Sequence, residues 1–172
     1  MKKAFLLGLS AMCFTVMAFA QAKTPASPPA TATGTINGAN VTIKYSSPSV
    51  KGRAIWGGLV PYDKVWRAGA NSATTIETDK DLWVEGQKLP AGKYSIYAVP
   101  GQDEWTVIFN SATGQWGINH DGTTTEDQAK DVIRVKVKPV KSASMQEMLR
   151  YNVNSDGFTL DWENLSVPVK VK

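Results

Sequence analysis

The residues from 47 to 75 combine basic and aromatic side chains that could bind a small ligand. Four of them are basic and one is acidic: Lys51, Arg53, Lys64 and Arg67 against Asp63. A guanidinium binds a carboxylate or a phosphate through two parallel hydrogen bonds, and indole and phenol rings add flat apolar faces with polar edges. We therefore predict a binding site for a small anionic or carbohydrate ligand, formed by Lys51, Arg53, Tyr62, Trp66, Arg67 and Asn71.

A purely structural role for this stretch remains an alternative. Arg67 could be a buried arginine that pairs with a carboxylate and pins the loop to the rest of the domain. The tryptophans could fill the open end of the core, and Gly57, Gly58 and Gly69 could serve only as turn residues.

The sequence contains few residues that could support catalysis by histidine, cysteine or zinc. The sequence contains one histidine, His120, and one cysteine, Cys13, which lies in the expected signal peptide. Zinc sites built from several histidines or cysteines are thereby excluded, and no serine stands in a G-x-S-x-G motif. His120 lies in the segment GINHDG at 117–122, which is typical of an exposed turn. We predict no cofactor and assign no catalytic residue.

Four carboxylates cluster between 121 and 131, namely Asp121, Glu126, Asp127 and Asp131. Their order does not match a twelve-residue calcium loop, so we expect a solvated acidic loop that offsets nearby lysines and no metal site. A hydrolase using two carboxylates, such as Asp63 and Glu77, is a second functional hypothesis. A third is an envelope assembly protein with an exposed edge strand or apolar patch.

The N-terminus has the features of a signal peptide. Lys2 and Lys3 precede an apolar run, and Ala-Phe-Ala at 18–20 fits a cleavage site, so residues 1–20 are expected to be removed. The protein is then exported, either periplasmic or secreted. Without the two lysines 17 basic residues remain against 15 acidic ones, a balance that argues against nucleic-acid binding. No second apolar stretch predicts a membrane span, and no feature identifies a protein partner.

The remaining sequence predicts one all-β domain. Residues 21–33 are rich in Pro, Ala and Thr and are expected to form a flexible tether. From residue 34 to 172, short alternating segments predict an antiparallel β-sandwich of about nine short strands with one long ordered loop. Asn37-Gly38 is expected to close a hairpin. Residues 145–153 fit either a helix or a strand, and we favour a strand. A turn or two of helix is expected near 125–130, capped by Thr124 or Thr125.

Several motifs along the chain resemble a bacterial family called domain of unknown function 2911. They are SPSVKGR at 47–53, GGLVPY at 57–62, VWRAGAN at 65–71, ATT at 73–75, LPAGKYS at 89–95, EWTVIFN at 104–110, WG at 116–117, DVIRV at 131–135 and LDWE at 160–163. The resemblance implies an exported protein of Bacteroidetes-type bacteria. It supplies no activity and no catalytic residue. After Trp116-Gly117 the family pattern leads us to expect an aromatic-containing strand, and residues 118–122 depart from it.

Overall fold

The computed structural model describes residues 25–172 as an all-β protein. Its strands are β1 (Pro29–Ile36), β2 (Ala39–Ser46), β3 (Thr74–Thr78), β4 (Leu82–Val84), β5 (Gln87–Leu89), β6 (Gly92–Val99), β7 (Trp105–Asn110), β8 (Asp131–Val137), β9 (Val140–Asn154) and β10 (Gly157–Lys170). The signal peptide predicted over residues 1–20 and the first part of the tether, residues 21–24, lie outside the described residues. No helix within the described range is long and apolar enough to cross a membrane.

The strands form a sandwich-like arrangement of antiparallel sheets, which confirms the predicted fold class. The larger sheet has six strands in the order β1-β2-β3-β6-β7-β8, while β9 and β10 pair with each other and β4 pairs with β5. Alternating apolar residues of the six-stranded sheet pack against β9 and β10 and form the main core. Ile76, Ile96 and Val107 come from the large sheet, and Leu160 and Val169 from β10.

The strand β6 is buried on both faces. Ile96 and Ala98 face the main core, whereas Tyr97 belongs to a second cluster with Ala73 and Ile108. The side-chain amide of Gln115 donates a hydrogen bond of 2.8 Å to the hydroxyl of Tyr97. The loops therefore cover the outer face of the sheet as well.

The first hairpin confirms one prediction and corrects another. Ile36 pairs with Ala39 across Asn37 and Gly38, which have φ angles of 48° and 77°, the left-handed values that a two-residue hairpin turn requires. The tether predicted over 21–33 is wrong for residues 29–33, because they belong to β1 and pair with β2. Strand β1 is only partly buried: Ile36 and Ala32 pack against the main core and Gly34 lies against Val153 of β9, while its backbone pairs along its whole length with β2.

Three further details of the fold differ from or refine the sequence-based expectations. The strand favoured for 145–153 is confirmed as part of β9. The segment 157–170 forms one long strand, β10, with register shifts between Asp161 and Leu165. The expected helix is a single 3-10 turn, Gln128–Lys130, and its cap is Asp127 rather than Thr124 or Thr125.

The long loop expected over 47–75 extends from residue 47 to residue 73, because Thr74 and Thr75 already belong to β3. It contains only isolated bridges. Ser49 bridges to Met148 on β9, and Trp66 bridges to Ala98 on β6. Ile55, Val60 and Ala68 of this loop are buried in the main core. The loop is thus packed along its length against both sheets.

Candidate functional site

A cavity of about 310 Å³ lies between the long loop and the end of the sandwich. We call it the loop cavity, and residues from the loop, from β10 and from the 117–122 turn contribute to its wall. Its lining consists of Ser27, Pro48, Arg53, Leu59, Val60, Trp66, Arg67, Gly69, Ala70, Ile118, Gly122 and Trp162. The volume is at the lower end of the range found for small-molecule sites.

Two indole rings in the cavity wall are stacked on each other. The ring centroids of Trp66 and Trp162 lie 5.9 Å apart with an interplanar angle of 16°. Trp66 is fixed to β6, because its backbone N–H donates to Ala98 O at 2.7 Å and its carbonyl accepts from Ala98 N at 2.8 Å. Trp162 is fully buried on β10. The aromatic wall is therefore held by regular strands.

These two rings belong to a cluster of four tryptophans. Trp56 packs edge-on against Trp66, Trp105 and Trp162, with centroid distances between 4.8 and 5.8 Å. Edge-to-face aromatic pairs contribute about 0.5–1.5 kcal/mol each beyond the area that they bury. The indole N–H groups of Trp56, Trp105 and Trp162 are buried without a hydrogen-bond partner among the described residues. The cluster is thus an aromatic core in which three indole N–H groups lack a hydrogen-bond acceptor from the described part of the chain.

Arg67 contributes a half-buried positive charge to the loop cavity. Its Nε is buried and has no hydrogen-bond partner within residues 25–172, and no carboxylate of that range forms an ion pair with it. Burial lowers the pKa of the Arg67 guanidinium below its ordinary value, although an arginine remains charged at any physiological pH. The structural alternative of an arginine pinned by a carboxylate is therefore wrong for the described residues.

The position of Arg67 depends on two unusual features of its surroundings. A Cβ atom built on Gly117 would lie 2.2 Å from Cδ of Arg67, so only a glycine lets the arginine stem pass. The next residue, Ala68, has a φ of 52°, which is unfavourable for a residue with a side chain. The hydroxyls of Thr74 and Tyr151 hold Ala68 in place by donating to its carbonyl at 3.0 and 2.8 Å. Such strain, where it is observed, is more frequent at functional sites.

Arg53 lies at the rim of the loop cavity and is exposed. Its Nε donates to Val50 O at 3.0 Å and its Nη2 donates to Ser49 O. Because a guanidinium has five N–H groups, the remaining ones stay available to a ligand. The two backbone contacts restrict the direction in which the guanidinium points.

The structure brings three of the six predicted site residues together. Arg53, Trp66 and Arg67 line the loop cavity. Asn71 lies behind its wall, where its Nδ2 donates to Ser27 O at 3.1 Å. Lys51 and Tyr62 are not part of the lining.

Lys51 and Tyr62 have other environments than the one predicted. Lys51 is exposed in a turn with a φ of 48°, and its backbone N–H donates to Glu147 Oε1 at 2.9 Å. Tyr62 packs over Gly57, where an added Cβ would lie 2.9 Å from the tyrosine ring. A loop without periodicity does not reveal which of its side chains share a face, so the sequence could not separate these two residues from Trp66 and Arg67.

Sequence reasoning missed Trp162 and Leu59 as cavity residues. The alternation of Phe158, Leu160 and Trp162 indicated only that Trp162 faces inward. Its contact with Trp66 joins residues 96 positions apart in the chain, and no local pattern encodes such a pairing. Leu59 lies in the loop and is 47% exposed, and only its place at the cavity marks it as more than a surface leucine.

The acidic residues between 121 and 131 have structural partners. Arg134 Nη2 donates to Glu126 Oε1 and its Nε donates to Asp131 Oδ2, both at 2.7 Å. Asp127 caps the 3-10 turn, and Asp121 accepts hydrogen bonds from Thr123. The expectation that this acidic loop offsets lysines is thus wrong for Glu126 and Asp131, which pair with an arginine. In residues 25–172 no group of three potential metal ligands comes together.

His120 is exposed, as predicted, and lies in a second depression, which is larger than the loop cavity, about 570 Å³, and more open to solvent. This depression is also lined by Trp116, Ile118, Asn119 and Thr125. It contains no buried charged group, and the side-chain amide of Asn119 is already bonded to Thr123 Oγ1 and to the Thr124 carbonyl. The loop cavity is therefore the stronger candidate.

Comparisons with known proteins identify a family and no activity. Searches of the curated proteins and of the solved structures found no match. The model of the family described as protein of unknown function DUF2911 matches residues 27–171. The matched range includes every residue of the loop cavity. The chain therefore belongs to the DUF2911 family.

Proposed function

We propose that this protein is a non-catalytic binding module for a small anionic ligand, which it holds in the loop cavity. The observation that carries the proposal is the Arg67 guanidinium, half buried, without a carboxylate among the described residues and with its Nε unpaired. Removing a charge from water is unfavourable unless the charge is paired. An anion bound in the cavity would supply the missing partner. The predicted signal peptide would place this module outside the cytoplasm.

The composition of the cavity wall supports an anion over a neutral carbohydrate. Sugars expose many hydroxyls, each of which needs a hydrogen-bond partner when it is buried. Besides the two arginines and the tryptophan N–H groups, Ser27 contributes the one polar side chain of the lining. The wall therefore offers positive charge and apolar surface rather than a set of neutral donors and acceptors.

The hydrolase hypothesis has no observation in its favour at this cavity. Its lining, drawn from the described residues, contains no carboxylate. Asp63 is exposed in the loop, and Glu77 is an exposed residue of β3 that pairs in register with Lys93. A pair of carboxylates for acid–base catalysis must face one bound substrate, and these two residues do not share the cavity.

The proposal predicts that anions stabilise the protein through Arg67. A ligand at 100 times its Kd adds about 2.7 kcal/mol to the free energy of unfolding, which corresponds to roughly 5–10 °C in Tm for a domain of this size. Thermal unfolding should be followed with acetate, benzoate, phosphate and glucuronate. We expect at least one of them to raise Tm, and Arg67→Ala to abolish that shift while changing the Tm of the free protein little.

Arg150→Ala is the matched control for the lost charge. Arg150 is an exposed residue of β9, away from the loop cavity, and its Nε lies 3.7 Å from Asp161. This variant should retain the ligand-induced shift. A shift that persists in Arg67→Ala, or one that both variants lose equally, would contradict binding at the loop cavity, and the absence of any shift would contradict the proposed function itself.

A further inference from the structure

The loop cavity separates its charge from its apolar surface. Positive charge comes from Arg53 at the rim and from Arg67. The other lining residues include Ser27 and two glycines, Gly69 and Gly122. The remaining side chains are apolar, namely Pro48, Leu59, Val60, Trp66, Ala70, Ile118 and Trp162. This division constrains the body of the ligand as well as its charge.

We infer that the ligand is an organic carboxylate with a flat apolar body, such as a ring system. This inference rests on the proposed function and specifies its ligand class. The carboxylate would pair with the Arg67 guanidinium, since a planar carboxylate matches the planar donor fork of an arginine. The apolar body would lie against Leu59 and the partly buried ring of Trp66, which stacks on the fully buried Trp162.

Inorganic anions and sugar acids fit this wall less well. Phosphate would reach Arg67 but leave the aromatic and aliphatic surface without a contact. The hydroxyls of a sugar acid would be buried against leucine and indole, where the described residues offer them few partners, and each unpaired hydroxyl is unfavourable. An apolar ring, by contrast, gains about 25 cal/mol for every Å² of apolar surface that leaves water.

One residue of the wall points to an occupant larger than a single carboxylate group. Leu59 is 47% exposed at the cavity, whereas Val60 beside it is buried, and a bound ring would cover it. This observation is independent of the charge on Arg67.

The test compares anions that share a carboxylate and differ in their body. The full chain is titrated calorimetrically with 1-naphthoate, acetate, glucuronate and inorganic phosphate, and with 1-naphthamide as the uncharged counterpart of naphthoate. We expect 1-naphthoate to bind at least about tenfold more tightly than acetate or glucuronate because of its buried apolar area. The amide should bind about tenfold or more weakly than naphthoate, because it lacks the negative charge.

Leu59→Ala tests the apolar wall without touching the guanidinium. It should weaken 1-naphthoate about threefold to tenfold, through the loss of buried apolar contacts, and leave acetate unchanged. Met145→Ala, which shortens an exposed apolar residue on β9 that does not line the cavity, should have no effect on either anion. Because Leu59 is partly exposed, its substitution should leave the fold intact.

The outcomes separate the ligand class from the proposed function. If phosphate or glucuronate binds as tightly as naphthoate and depends on Arg67, the binding function holds and the inferred ligand class is overturned. Naphthoate binding that is insensitive to Leu59→Ala would also overturn it. If none of the anions binds, the proposed function fails and the inference fails with it.

Discussion

Arg67 and Arg134 are both half buried, but their charges have opposite surroundings. Arg134 lies on β8 and pairs with two carboxylates, Glu126 and Asp131, at 2.7 Å each. Arg67 pairs with none within the described residues and faces a cavity. The protein thus builds a complete ionic cluster at one end of its large sheet and leaves a cation without a counter-charge in the loop. This is the distribution expected if Arg134 has a structural role and Arg67 binds an anion.

The backbone is regular at Arg134 and strained beside Arg67. Arg134 lies in a regular strand, and the strand itself places the side chain beside Asp131. Arg67 precedes Ala68 in a left-handed conformation, and its stem passes directly over Gly117. Strain of this kind persists only where the surrounding structure enforces it. The comparison therefore suggests that the placement of Arg67 is maintained at a cost in stability.

The largest expected difference between the two sites is in stability. Arg134→Ala leaves Glu126 and Asp131 close together without their cation, which should lower the free energy of unfolding by about 2–3 kcal/mol, less than for a fully buried pair because the arginine is partly exposed. Arg67→Ala removes an uncompensated charge and should change stability by less than about 1 kcal/mol. Urea unfolding of both variants measures this, and the reverse order would show that Arg67 is the structural arginine.

Gly117→Ala should disturb the loop cavity at an intermediate cost. Its methyl group would lie 2.2 Å from Cδ of Arg67 and 3.0 Å from Cγ, so the arginine must move, at a cost of about 1–2 kcal/mol. Because the guanidinium is displaced, the ligand should no longer raise the Tm of this variant. Thermal and urea unfolding with and without 1-naphthoate measure both effects.

A double-mutant cycle provides the control for this contact. In an Arg67→Ala background the Cδ and Cγ atoms are absent, although Cβ at 2.8 Å remains. Gly117→Ala should then cost less than in the original protein, and the coupling should be measurable because the two residues touch. Equal costs in both backgrounds would mean that the clash with the arginine stem is not the cause.

The sequence predicted the strands well because their signal is local. Alternation along β2 and β8 and the Asn37-Gly38 turn specify extended segments that reverse direction. The tether was misjudged over 29–33 because composition reports how much apolar surface a segment can bury. An outer strand such as β1 is stabilised by its backbone pairing with β2 and by contacts of a few small residues on one face, and composition reports neither.

The candidate site was only partly predictable, for a different physical reason. The type of chemistry, guanidinium beside indole, followed from the loop composition, and Arg53, Trp66 and Arg67 do meet at one cavity. The facing partner Trp162 is brought there by β10, and such contacts depend on the packing of distant strands. Whether a basic residue has a carboxylate partner is likewise decided in three dimensions, as Arg67 and Arg134 illustrate.

The smallest predicted effect concerns the balance of charge around Arg134. Burial, and then the negative charge of Asp131, raise the pKa of Glu126 above its ordinary value of 4.5, although Arg134 acts in the opposite direction. The stability that this group contributes is therefore complete below about pH 4.5 and is lost as the pH rises through the raised pKa. The glutamine of the Glu126→Gln variant does not titrate. The stability of this variant relative to the original protein should therefore increase over that pH range.

Asp79→Asn provides a control with the opposite sign. The side-chain and backbone N–H groups of Asn40 donate to Asp79 at 2.7 Å and lower the pKa of Asp79 below its ordinary value of 3.8. The stability contributed by Asp79 is present above pH 3.8 and is lost as the pH falls through the lowered pKa, so this variant should lose stability relative to the original protein as the pH rises. Parallel slopes for the two variants in urea unfolding between pH 3 and 7 would indicate an effect of net charge. Opposite slopes would show that the pKa of Glu126 is raised while that of Asp79 is lowered. The carboxylates beside Arg134 would then carry an unfavourable negative charge, in contrast to the unpaired positive charge of Arg67.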